Sequence, residues 1–291
     1  MRPHPDQLAT LAAIADLGSF EAAARQLHVT TSAVSQRVKA LESAAGQVLL
    51  RRGTPCVPTE AGRVLVRLAR EVVLLHDEAE ALLSSGATGG PVELPVAVSA
   101  DSLATWFRPV LDAAAGWPGT ALRLRVEDQG FSTEHLRTGD VLAAVTSDPA
   151  PVQGCSVERL GALRYRPAAS PSYAERWRRG RGPDWAAMPL VVFNDKDLLQ
   201  HDLLARRGLP APPVVHQVPT STDFHEALRR GLGWGLLPEP QLDPDLESGA
   251  LVLLSTREHV DVDLHWQRWR LASTGLDRLT DAVRAAASVL R

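Results

Sequence analysis

Apolar positions in the first sixty residues recur at helical spacing, in short runs separated by Gly, Ser and Thr. Leu8, Leu11, Ala12 and Ala15 share one face of a helix that Asp6 can cap and Gly18 closes. Ser19 is placed to cap a second helix carrying Phe20, Ala23, Ala24 and Leu27 on one face. His28 and Val29 fill a tight turn, and Thr30 can cap a third helix that reaches Ala45 and ends at Gly46. Small Ala23 and Ala24 let neighbouring helices cross closely, so the pattern is that of a helix-turn-helix. The run VLLRRGTPCVPTEAG then reads as a two-stranded wing turning through Gly53, Thr54 and Pro55.

From residue 59 the pattern lengthens. Ala61, Leu65, Leu68, Val72, Leu75, Ala79 and Leu82 alternate spacings of four and three, an a/d seam with Thr59 as its cap. Such a helix either packs on its own domain or pairs with a copy of itself. Between a small N-terminal unit and the linker SSGATGGP it has little else to bury, so pairing through Leu65, Leu68, Val72, Leu75, Ala79 and Leu82 is expected.

Beyond Val92, β-like apolar runs alternate with helical stretches, the signature of α/β layers. VELPVAVS, ALRLRVEDQ and VLAAVTSDP read as strands, with SLATWFRPVLDAAA as a helix among them. After a helix around 171–179, a second set follows: LVVF, the helix KDLLQHDLLARRG, VVHQV, the helix STDFHEALRRG and GWGLLP. VDLHWQRWRLAS and the closing helix LDRLTDAVRAAASVL can return to the first set. Two lobes linked by two crossings leave a cleft between them.

The third helix bears on what the N-terminal unit touches. At about 100° per residue, Val34, Val38, Leu41 and Ala45 fall on the core side. Ser32, Ser35, Gln36, Lys39 and Ser43 lie opposite, with Thr31 and Glu42 at the border. An ordinary solvated face has the same polarity. Short Ser and Thr side chains also let a helix approach a groove floor, and Gln36 can offer a donor and an acceptor to an adenine edge. Arg37, Lys39, Arg51 and Arg52 suit phosphates, contacts that fix register without reading sequence. Net charge is −3, which argues against bulk affinity for nucleic acid. Yet residues 25–63 hold Arg25, Arg37, Lys39, Arg51, Arg52 and Arg63 against only Glu42 and Glu60, a confined basic footprint. Together with the turn and the wing, this favours DNA over the solvated face.

Composition narrows the rest. With 291 residues, 45% of them apolar and 22% charged, the chain can build one or two globular cores. No run approaches a membrane span, and an N-terminus holding Asp6 and Asp16 is a poor signal peptide, so a cytoplasmic protein is expected. Cys56 and Cys155 match no metal spacing, and the nine histidines form no metal set. GLGWG lacks the strand-to-helix context of a nucleotide loop, and no Ser elbow, P-loop or CxxC occurs. Neither metal, cofactor nor catalytic residues are expected, and the chain is not expected to be an enzyme.

The stretch SFEAAARQLHVTTSAVSQRVKALE, with the wing and long helix that follow, resembles the N-terminal signature of LysR-type transcriptional regulators over residues 5–84. VSADSLATWF, AAVTSDPAPVQGC, LGALRYRPAASP, VVFNDKDLLQ and VPTSTDFHEALRRGLGWGLLPE are similar to one branch of that family, the ArgP/LysG regulators of lysine and arginine export. The resemblance implies an α+β multidomain chain. Its parts are a winged helix-turn-helix (1–58), a dimerisation helix and hinge (59–90) and a two-lobed, periplasmic-binding-protein-like effector domain (91–291). It implies a homodimer that assembles as a dimer of dimers, acting at an amino-acid exporter gene. The implied partners are operator DNA, a small effector (lysine or arginine) and RNA polymerase. Base contacts carry over to Thr31, Ser32, Ser35 and Gln36, and wing contacts to Arg51 and Arg52. Many relatives have Arg, which prefers guanine, where this chain has Gln36.

Within the lobes, ligands of open α/β sheets collect beyond the carboxyl ends of strands. Those ends carry Ser99, Asp101 and Ser102, then Glu127 and Asp128, then Thr146, Ser147 and Asp148. The second lobe contributes Asn194, Asp195, Thr220, Ser221 and Asp223. Ser102 and Ser221, beside helix N-termini, suit a carboxylate; the acidic members suit an amine. A ligand with both is an amino acid, and the acidic surplus favours a basic one. Each of these residues is also an ordinary cap or turn former. Trp106 and Phe224 can line the cleft or pack in the core. Three rivals remain: a family member sensing another metabolite, an architectural DNA protein without effector, and a two-lobed enzyme.

Overall fold

The protein's structure, a computed structural model, describes residues 2–83, 91–128, 130 and 132–291; the expected linker at 84–90 lies outside the described residues. Helix α1 (Pro5–Leu17) starts ahead of Asp6, because His4 is the cap. The His4 ring accepts from the Asp6 N–H at 3.3 Å, and the His4 backbone N–H donates to Gln7 Oε1 at 3.1 Å. Pro5 has no N–H to lose at the first helical position, and Asp6 sits within the first turn, where negative charge suits the dipole. Ser19 caps α2 (Phe20–Gln26) and Thr30 caps α3 (Thr31–Ala45), which Gly46 ends in the left-handed conformation. Val34, Val38 and Leu41 of α3 are buried against α1 and α2. The wing is the antiparallel pair β1 (Leu50–Arg51) and β2 (Val57–Pro58). Glu42 holds it to α3 by accepting the Leu49 N–H at 2.8 Å.

Helix α4 (Glu60–Leu83) spans roughly 36 Å, and its Thr59 cap accepts from the Gly62 N–H at 3.1 Å. Gly62 must be glycine: a Cβ there would meet the Leu49 carbonyl oxygen at 2.0 Å. The expected seam divides along this helix. Leu65 is only 8% exposed and joins the N-terminal core, and Val72 packs against that core too. Leu68, Leu75 and Leu82 remain 36%, 41% and 85% exposed, and Ala79 is exposed beside them. The reason is that α4 is not isolated: it lies along α1 and then along the effector domain. Leu65 and Val72 are therefore not free to meet a second chain.

The effector domain opens with β3 (Val92–Val98), α5 (Ala100–Ala104), α6 (Arg108–Ala115), β4 (Thr120–Val126), α7 (Ser132–Thr138) and β5 (Ala143–Thr146). The single helix expected over SLATWFRPVLDAAA is two, broken at 105–107 where buried Trp106 and Phe107 turn into the core. Next come β6 (Cys155–Ala169), α8 (Pro171–Arg176), the small hairpin of β7 (Arg178–Arg179) and β8 (Gly182–Pro183), β9 (Leu190–Val192), α9 (Leu199–Arg206) and β10 (Val215–Gln217). The chain ends with α10 (Ser221–Arg229), β11 (Gly235–Pro238), α11 (Glu239–Ser248), β12 (Val252–Leu253), β13 (Val260–Trp269) and α12 (Thr274–Ala287). The main sheet has the order β11-β6-β13-β5-β3-β4, with β12 also on β6.

Strands β6 and β13 pair antiparallel from Tyr165↔Val260 to Cys155↔Trp269 and run through both lobes. These are the two crossings. At one end β13 pairs β5 of the first lobe, and at the other β6 pairs β11 of the second. Trp266 and Trp269 of β13 are buried with Leu276, Leu279 and Val283 of α12, so the closing helix does return to the first lobe. Helix α4 docks on this unit through Glu78, whose Oε1 accepts from Ser273 Oγ at 2.6 Å and from the Gly275 N–H at 2.9 Å.

Candidate functional site

Two surfaces carry the sequence-predicted residues. On α3, Thr31, Ser32, Ser35, Gln36 and Lys39 are all exposed, as are Arg51 and Arg52 of the wing. Lys39, Arg51 and Arg52 form no ion pair among the described residues. Thr31, Ser35 and Arg52 line one groove of about 480 Å³ together with Ser19 and Gly53, and the Arg52 guanidinium rests 5.7 Å from the Phe20 ring centroid. Arg37 departs from the expectation. It turns back onto α1, with Nη2 3.3 Å from Asp6 Oδ2 and Nη1 3.4 Å from Thr10 Oγ1, so it ties helices together instead of facing outward.

The second surface is a cavity of about 250 Å³ between the lobes, at the carboxyl ends of β3, β4 and β5. Of the predicted residues, Ser99, Asp101, Asp128, Ser147 and Phe224 line it. Asp101 bridges the lobes: it accepts from Tyr165 Oη at 3.1 Å and from Ser221 Oγ at 3.3 Å. Asn194 stands behind the lining and donates to Asp128 Oδ2 at 3.0 Å. Glu127 stands at the rim, where Lys196 Nζ reaches it at 3.1 Å from the other lobe.

Other predicted residues lie elsewhere. Ser102 is buried behind Ser99 with their hydroxyls 2.9 Å apart, and Thr146 is buried where it accepts the Asp148 N–H. Asp195 is exposed and does not line the cavity. Thr220 and Asp223 are exposed at the start of α10, where Thr220 Oγ1 caps the helix and also bonds Asp223. Trp106 is core. Sequence reasoning missed Asp197, Lys196, Asp202 and Tyr165. Asp197 was expected inside a helix; it instead accepts the Phe193 N–H at 2.8 Å ahead of α9, which begins only at Leu199. The available signal was Leu199 and Asp202, which share one helix face at i, i+3 spacing and line the cavity with Leu198 just ahead of the helix.

The cavity is acidic and strained by it. Asp101, Asp128, Asp197 and Asp202 line it, against Lys196 as the only basic lining residue among the described residues. Burial raises the Asp101 carboxyl to about 6, with the Tyr165 and Ser221 hydrogen bonds opposing and the charges of Asp197 and Asp128 adding to the rise. Burial likewise pushes Asp197 up, against the Phe193 and Leu199 N–H groups and Gln200, while the Asp128 charge adds to the rise. At Glu127 burial acts in the same sense but loses: Lys196, the Asp128 N–H and His135 together hold it below the usual range. A cation entering the cavity would relieve carboxylates that now repel one another.

The helix-turn-helix with its exposed polar α3 face, the long connecting helix and a polar cavity between two α/β lobes define a class: DNA-binding regulators with a built-in small-ligand domain. The chain belongs to the LysR family of bacterial transcriptional regulators. Residues 5–63 match the bacterial regulatory helix-turn-helix protein, lysR family, and residues 89–291 match the LysR substrate binding domain. The chain is 49% identical over 288 residues to the lysine export transcriptional regulatory protein LysG of Corynebacterium glutamicum, covering 98% of each. To the HTH-type transcriptional regulator ArgP of Pseudomonas aeruginosa it is 39% identical, covering 96% of this chain and 94% of that one. Among solved structures, full-length LysG of C. glutamicum with bound effector Arg is similar with a TM-score of 0.83 and 48% identity over 98% of each chain. ArgP of Mycobacterium tuberculosis gives a TM-score of 0.89 and 44% identity, covering 100% of this chain and 99% of that one. Among the described residues, no helix is long and apolar enough to cross a membrane.

Proposed function

We propose that the protein is a cytoplasmic regulator of an amino-acid exporter gene, and that the ligand of its interlobe cavity is a basic amino acid, lysine or arginine. The observation that carries this reading is that Asp101, Asp128, Asp197 and Asp202 line the cavity with Lys196 as the one basic lining residue among the described residues. A ligand ammonium or guanidinium relieves the carboxylates, while Lys196 and the Ser147 hydroxyl suit its carboxylate. The similarity to LysG with bound arginine supports the same chemistry.

Residues 1–58 read operator DNA through Thr31, Ser32, Ser35 and Gln36, with Lys39, Arg51 and Arg52 on phosphates. Residues 59–90 pair protomers through the exposed part of the seam, Leu68, Leu75, Ala79 and Leu82. Residues 91–291 bind the effector, and dimers associate in pairs at the promoter, where RNA polymerase is a further partner. Effector shifts the assembly only through a difference in affinity between its states.

The test is DNA selected by the full-length protein from random sequence, then titrated with and without L-arginine and L-lysine. A specific duplex whose affinity changes with either amino acid is the expected result. Binding without sequence preference, indifferent to both, would instead mean an architectural protein. Turnover of either amino acid would mean an enzyme.

A further inference from the structure

A line of charged and polar side chains in contact runs from the cavity rim to the DNA-binding domain within one chain. Lys196 Nζ lies 3.1 Å from Glu127 Oε1, and the other Glu127 oxygen lies 3.5 Å from His135 Nε2. His135 Nδ1 faces Asp140 Oδ2 at 3.5 Å. Asp140 Oδ1 meets Arg70 Nη1 of α4 at 2.8 Å, and the other Arg70 nitrogen binds Asp16 at the end of α1. Side chains along this line from Glu127 to Arg70 are between 19% and 30% exposed, so solvent and salt screen them less than an ordinary surface pair.

The backbone follows the same route. Helix α7 carries His135, and its first residue, Ser132, donates to the carbonyl of Asp128, a cavity residue, at 3.1 Å. About 10 Å further on, its last residue, Thr138, offers its carbonyl to Arg70 Nη1 at 3.1 Å. The fold has cleared space for this end. Gly139 adopts φ +77°, and a Cβ there would meet Arg67 Cα of α4 at 3.2 Å. Burial pushes the Asp140 carboxyl up, but Thr138 and Arg70, with Arg125 nearby, outweigh it and hold it below the usual range. Asp140 is thus a charged anchor for the linker helix.

Resting on the reading of the cavity as a basic amino-acid site, we propose that His135 and Asp140 are positioning residues that couple the cavity to the DNA-binding domain through Arg70. A zwitterion inserted between Lys196 and Glu127 satisfies each with its opposite end. Glu127 then exchanges an internal cation for the ligand's. Any shift it makes is passed to His135, and by α7 and Asp140 to the side chain that joins α4 to α1. Linkage makes the coupling reciprocal: the factor by which arginine changes DNA affinity equals the factor by which DNA changes arginine affinity.

The experiment uses full-length protein, L-arginine and L-lysine as ligands, and a duplex selected by the protein from random sequence. Calorimetry reads amino-acid affinity without DNA; anisotropy reads duplex affinity with and without amino acid. The unaltered chain is expected to show a coupling factor within about 5- to 150-fold. Asp140→Asn and His135→Gln are each expected to keep amino-acid affinity within about twofold while the factor falls toward one. Glu134→Gln, an exposed change on the same helix, should retain the full factor. If Asp140→Asn does not fold, His135→Gln decides alone. Full coupling in the folded variants overturns the proposal and leaves the cavity reading standing. No amino-acid binding by the unaltered chain, seen before DNA is added, overturns both.

Discussion

Ser221 donates its hydroxyl to Asp101 across the cleft, at 3.3 Å, and so joins α10 of the second lobe to the loop after β3 in the first. Asp101 is half-buried in the cavity wall, and its carboxyl is raised by burial to about 6. A raised acid favours the protonated state in the fold, so ionisation costs stability as pH climbs from about 4 to about 6 and no more above that. The cost is at most on the order of 3 kcal/mol. Asp101→Asn should therefore raise the melting temperature at pH 7.5 by roughly 5 °C and by only about a third of that at pH 4.5. Thermal unfolding at the two pH values checks this, and an equal difference at both would contradict it.

The same group makes effector binding pH-dependent. A ligand cation beside Asp101 favours its ionised form, so binding between pH 5 and 6 must expel a proton. Affinity for arginine or lysine is expected to fall below pH 6, by up to about tenfold per pH unit. Calorimetry in buffers of different ionisation enthalpy counts the proton directly. Asp101→Asn should abolish its release.

On the proposed DNA face, Gln36 is the exposed α3 side chain with a separate amide donor and carbonyl acceptor. Gln36→Ala should relax discrimination at one or two base pairs, worth about 1–3 kcal/mol each, with little effect on phosphate-driven affinity. Arg52→Ala should do the reverse, weakening all sequences and lowering the salt slope by about one. Affinities for single-base variants of the selected duplex separate the two.

Leu68→Asp with Leu75→Asp places two charges on the part of α4 that its own chain leaves exposed. Sedimentation should show a protomer where the unaltered chain gives a dimer or larger. Leu65→Asp would act differently, unfolding the N-terminal core in which that side chain is buried.

The N-terminal unit was legible in the sequence because its determinants are local. Ser19, Thr30 and Thr59 cap the helices they precede, and Gly18 and Gly46 end theirs with positive φ. Strand β6 was not legible. Its alternation carries Arg159, Arg164 and Arg166, and Gly161 and Pro167 break its run. Those arginines pair with Asp263, Asp261 and Glu239, partners that only the folded chain brings near. The strand-end rule found Ser99, Asp101, Asp128 and Ser147 because β3, β4 and β5 present their ends together. It failed for Asp197 and Asp202, which reach the cavity from before and within α9. Arg37 shows the same limit: a helical wheel puts it on a flank, and only the packing of α1 supplies Asp6.

Titration calorimetry of the full-length protein decides whether the cavity holds a cationic amino acid among its carboxylates. L-arginine and L-lysine are set against citrulline and norleucine, which match them in shape and lack the side-chain charge. At least one basic amino acid is expected to bind, and its neutral counterpart to bind at least about a hundredfold more weakly. Asp128→Asn is expected to narrow that gap. Equal binding of charged and neutral members, or binding of neither basic amino acid, would rule out a cation site among these carboxylates.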